Sequence, residues 1–74
     1  MNLQNFIAGI SIARSYYDKP DGHHIGAEHD IFYLYMTDHP MKPEDVERMR
    51  ELGWFQEGRG DRGYSPDDGW AAFT

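Results

Sequence analysis

Cysteine is absent from all 74 residues, which removes disulfides and thiolate-held zinc, the usual staples of a small secreted scaffold. A chain this short buries only about 60% of the surface it exposes when unfolded, so its stability has to come from packing. Long hydrophobic runs are missing as well. Nothing approaches the roughly 20 apolar residues of a membrane-spanning helix, and the opening MNLQNFIAGISIAR has neither the basic start nor the apolar stretch of a secretory signal. The expectation is a soluble protein of a reducing compartment, the cytoplasm. Positive charge is scarce: seven Lys and Arg stand against thirteen Asp and Glu, for a formal net charge of −6. That balance disfavours a nucleic-acid footprint, which needs clustered Lys and Arg, and favours a protein or nucleoprotein partner with a basic surface. Aromatics are plentiful at 15%, a supply that suits both a small core and a binding face.

Periodicity divides the single domain into elements. In the first segment Leu3, Phe6, Ile7, Ile10, Ala13 and Tyr17 recur at helical spacing behind Asn2, a good N-cap. This predicts a helix over 2–18, ended by Pro20 and the Asp21-Gly22 turn. Ala8, Ile12 and Tyr16 form a second row at i, i+4, i+8. Ile12 and Tyr16 are therefore a possible dimer or target face, and small Gly9 and Ala13 would let another backbone approach closely. HDIFYLYMT, rich in strand formers, predicts a strand over 30–37 with apolar residues on both faces. A second helix over 43–52 has Pro43 at its first position, Glu44 and Asp45 in its first turn and Gly53 just past its end. Its buried side is Val46, Met49 and Leu52. Lys42 is a poor N-cap, which leaves Asp38 or the packing of Met41 to hold the start. Short strands over 54–57 and 70–74 read as a hairpin about a long mobile loop, 58–69, dense in glycine and charge. The order α-β-α-β-β makes an α+β domain, a three-stranded antiparallel sheet with two helices on one face.

The stretch HHIGAEHD at 23–30 holds three of the four histidines and raises the question of a metal. Its spacing argues against one. A zinc site on regular structure needs histidines at i, i+3 or i+4 on a helix, or i, i+2 on a strand, whereas His23 and His24 are adjacent and His29 follows five residues later. His39 lies beyond the far end of the predicted strand, on the order of 30 Å away at about 3.3 Å per residue. The stretch is expected to be a polar turn that caps a strand, and no metal or other cofactor is expected. Ser11, Ser15 and Ser65 have no elbow or triad around them, so the chain is not expected to be an enzyme. Arg59-Gly60-Asp61 spells the adhesion tripeptide, but in a cysteine-free acidic chain it reads as coincidence.

AEHD at 27–30, PEDVERMRELGWF at 43–55, and DGW at 68–70 followed by Phe73 together resemble a loose group of small phage- and prophage-encoded proteins that carry EHD, ELGW and a closing W-x-x-F. The chain departs from that group at Lys42, where Ser or Thr usually precedes the proline, and in its GRGDRG insertion. The resemblance implies a phage accessory protein in the host cytoplasm. By size and charge it is similar to the anti-CRISPR proteins, which bind and block a host defence complex. On that expectation the partner-binding carboxylates are Asp18, Asp21, Glu28 and Asp30 near the helix exit and Glu57, Asp61, Asp67 and Asp68 in the loop. Free histidine titrates near pH 6.5, so binding through this acidic face is expected to weaken below about pH 6 as the histidines become cationic. The alternatives are a homodimeric structural or assembly module and a histidine-dependent metal protein.

Overall fold

The side-chain oxygen of Asn2 accepts the amide of Asn5 at 2.7 Å and starts helix α1, Leu3–Arg14, in a computed structural model that describes residues 1–56 and 69–73. The helix stops four residues short of the expected 18. Its last turn tightens to i→i−3 bonds from Tyr16 to Ala13 and from Tyr17 to Arg14, and the Ser15 hydroxyl donates to the Ile12 carbonyl. The Tyr16 carbonyl is then taken by the amides of Asp38 (3.1 Å) and His39 (3.3 Å), so it cannot serve a further helical turn.

The next element is one that sequence patterning missed. Residues Ile25–Glu28 form strand β1, which pairs antiparallel with β2, Ile31–Leu34, in the register Ile25 with Leu34 and Glu28 with Ile31. HHIGAEHD is thus half a hairpin. IGAE escapes detection because Gly and Ala have little strand preference and too few residues are present for an alternation to show; its pairing with β2 supplies what its composition does not. His29 and Asp30 make the two-residue turn. His29 adopts φ 55°, the left-handed conformation, and it is the one non-glycine residue to do so among the described residues.

Helix α2, Pro43–Glu51, ends where its cap signals placed it, with Gly53 at φ 99° just beyond. Lys42 makes no side-chain cap. Instead the buried Met41 packs beneath this end, and the Lys42 amide donates to the Tyr16 hydroxyl at 3.1 Å. Two short strands follow: β3, Phe55–Gln56, and β4, Trp70–Phe73. Trp54 precedes the ladder rather than belonging to it, while Glu57, Thr74 and most of the 58–69 loop lie outside the described residues.

Among the described residues the sheet therefore has four strands rather than three, all antiparallel, in the order β1-β2-β4-β3, and the element order is α-β-β-α-β-β. The registers fix its faces. Phe32, Leu34, Trp70 and Ala72 share one face and join Ala13, Met49, Leu52 and Trp54 in the core, so both helices cover that side. Phe6 bridges the layers, edge-on to Phe32 at 4.9 Å and stacked on Trp54 at 5.5 Å. Gly9 admits the indole of Trp54 against α1, not a second backbone: a Cβ there would stand 2.0 Å from the indole nitrogen.

Candidate functional site

Several hydrogen bonds tie down the chain leaving α1, and they begin with two adjacent tyrosines. Tyr16 turns toward α2, where its hydroxyl donates to Asp45 Oδ2 at 2.5 Å. Tyr17 turns the other way, donates to the Tyr35 carbonyl, and stacks on the His24 ring at 4.3 Å between centroids. His24 in turn places a ring nitrogen 2.7 Å from the Lys19 carbonyl.

Asp18 follows immediately and clasps the loop after β2. Its amide donates to Asp38 Oδ2 at 2.8 Å, and its own Oδ1 lies 2.5 Å from His39 Nε2. These bonds hold residues 37–39 against the helix exit and leave Asp18, Asp38 and His39 facing solvent.

The ionisable groups register this arrangement. The hydrogen bond from Asp18 raises the His39 pKa, and the carboxylate's charge adds to the effect. Burial pushes the Tyr17 hydroxyl up to about 12, with the charge of Asp38 contributing. Burial also raises Tyr16, assisted by its bond to Asp45.

The expected site residues fall in three places. Asp18 and Asp21 are exposed around the α1 exit. Glu28 and Asp30 are exposed at the hairpin tip, Glu28 with His29 3.9 Å away, separated from the first pair by the length of β1, about 10 Å at 3.3 Å per residue. Glu57, Asp61, Asp67 and Asp68 lie outside the described residues. Ile12 and Tyr16 do not form an open face. Tyr16 is buried against α2 and Ile12 is half-buried against the core, because α2 packs on that side of α1.

Sequence reasoning missed Asp38 and His39 as members of the site. Asp38 looked like a helix cap, and the separation of His39 from His29 gave no hint that Asp18, twenty-one residues upstream, would be its partner. Three of the four histidines divide between the two ends of β1: His24 and His39 attach to the helix exit and His29 sits in the turn. Among the described residues no three His, Asp or Glu side chains gather as a metal would require, and none of the described helices is long and apolar enough to cross a membrane.

The sheet face away from the helices carries Ile31, Tyr33, Phe55, Ala71 and Phe73, aligned by the β2–β4 and β3–β4 registers. Phe55 and Phe73 stack there at 5.2 Å, and Tyr35 lies over Gly26, where a Cβ would stand 2.3 Å from its hydroxyl oxygen. Chemically, the surface offers carboxylate acceptors beside aromatic rings, a combination that suits Lys- and Arg-bearing partners. No family model, no curated protein and no solved structure matches the chain.

Proposed function

We propose that the chain acts by stoichiometric protein binding, as an anti-CRISPR-like inhibitor that a phage or prophage directs at a basic surface of a host defence complex. The observation that carries this reading is the charge of residues 18–38. Asp18, Asp21, Glu28, Asp30 and Asp38 are all exposed there, against the single cation Lys19. Asp18 and Glu28 have histidines for neighbours rather than Lys or Arg, and the raised His39 pKa means that Asp18 is freed for a partner only as pH rises through that value. The clasp between Asp18 and the 37–39 loop supports the reading further, since carboxylates held in place lose less side-chain entropy on binding.

Affinity capture from a host lysate, with mass spectrometry of the recovered proteins, identifies the partner. Charge reversal then tests the surface. Asp18→Lys, Asp21→Lys and Glu28→Lys together, in a chain whose circular dichroism is unchanged, are expected to abolish capture in low salt. Undiminished capture by that variant would remove the acidic surface from the mechanism.

A further inference from the structure

Among the described residues β1 is an edge strand, and no described strand pairs with its outer side. The Tyr35 amide donates to the His24 carbonyl. In an antiparallel ladder, pairs that exchange hydrogen bonds alternate with pairs that do not. Gly26 and Glu28 therefore bond inward to β2, and the main-chain groups of Ile25 and Ala27 point to the free edge. Natural edges are usually blunted by Pro, Lys or a bulge. β1 has none of these: its sequence is IGAE and its register is uninterrupted.

β1 also exposes an apolar side chain. Ile25 is 61% exposed. On α1, Leu3, Ile7, Ile10 and Arg14 follow one another at helical spacing, and Tyr17, three residues past the helix end, stacks on His24, the residue that leads into β1. Along that stripe Leu3 is 73% and Ile7 53% exposed.

We propose that β1 is a self-association edge, on which a second copy of this chain pairs its own β1 antiparallel about a two-fold axis at Gly26. The segment His24–Glu28 is complementary to itself in that register. Ile25 meets Ala27 of the second copy, and both are residues whose main-chain groups point outward, so donors and acceptors match. Gly26 meets Gly26 as the close pair without hydrogen bonds, which two glycines accommodate easily. Glu28 meets His24 of the second copy, a carboxylate opposite an imidazole. A two-fold axis perpendicular to the sheet keeps both helix layers on one side and sets the exposed Ile25 of each copy at the seam. Shifting the register by one residue would set outward groups against inward ones and lose the hydrogen bonds.

Sedimentation velocity or light scattering across a wide concentration range tests this, independently of any target. The wild-type chain is expected to show a monomer–dimer equilibrium. Ile25→Lys, at an exposed position, is expected to weaken the dimer by about tenfold or more, since each lysine is desolvated at the seam. Ala27→Pro removes an outward amide and is expected to abolish it. Should that variant fail to fold, Ile25→Lys decides. Phe73→Ser, on the far sheet face, is expected to leave the dimer unchanged. A wild-type chain that stays monomeric, a dimer untouched by Ile25→Lys, or one lost only in Phe73→Ser would overturn the proposal.

Discussion

Gly9 sits in the middle of α1, where alanine would ordinarily be favoured by about 1 kcal/mol. Here the sign reverses, because its Cβ would meet the buried Trp54 indole at 2.0 Å and overpacking costs about 1–3 kcal/mol. Gly9→Ala is therefore expected to lower stability in urea denaturation by about 1–2 kcal/mol, and a gain in stability would show that the indole does not rest there. Tyr17 carries a pH dependence of definite sign. Its folded pKa, about 12, exceeds the ordinary value near 10. The stability it contributes is whole below about pH 10 and is lost as pH rises toward about 12. Tyr17→Phe forfeits the bond to the Tyr35 carbonyl, at about 1 kcal/mol near neutrality, and is expected to flatten the alkaline loss. Circular dichroism across an alkaline pH series measures both effects.

Among the elements, the hairpin of β1 and β2 rests on a turn with an unfavourable residue. The first turn residue, His29, is held at φ 55° while no positive φ occurs at Asp30, the sign pattern of a type II′ turn, in which glycine is preferred at the first position. His29→Gly is expected to raise stability by up to about 1 kcal/mol; a loss would mean that the histidine itself holds the turn. Sequence patterning made α2 legible to within one residue, because its proline, acidic first turn and terminal glycine are local chemistry. It also located β4 and the aromatic body of β2. It failed at β1, whose existence depends on pairing with β2 rather than on its own residues, and at the end of α1, where the amides of residues 38 and 39 are the competing donors to the Tyr16 carbonyl. For the site, exposure of Asp18, Asp21, Glu28 and Asp30 followed from their charge, whereas the Asp18–His39 pair was invisible because it is made by tertiary folding alone. The burial of Tyr16 was hidden for the same reason, since helical spacing alone does not reveal which side of α1 the second helix covers.

For the molecule as a whole, the excess of acidic over basic residues makes an encounter with a basic partner sensitive to both salt and pH. His39 sets the pH term. Its pKa is raised by Asp18, so the stabilisation from their pairing is full below the ordinary histidine range and is lost as pH rises through the raised value. Binding through Asp18 runs the opposite way, strengthening as His39 loses its proton and releases the carboxylate. Asp18→Asn is expected to lower the His39 pKa in an NMR titration of its ring protons; an unmoved titration would mean that the pair does not form in solution. The most direct test of acidic docking is isothermal titration of the wild-type chain against its captured partner at low and at high ionic strength. The expected result is a fixed stoichiometry with a Kd that weakens steeply as salt rises, and a Kd indifferent to salt would contradict it.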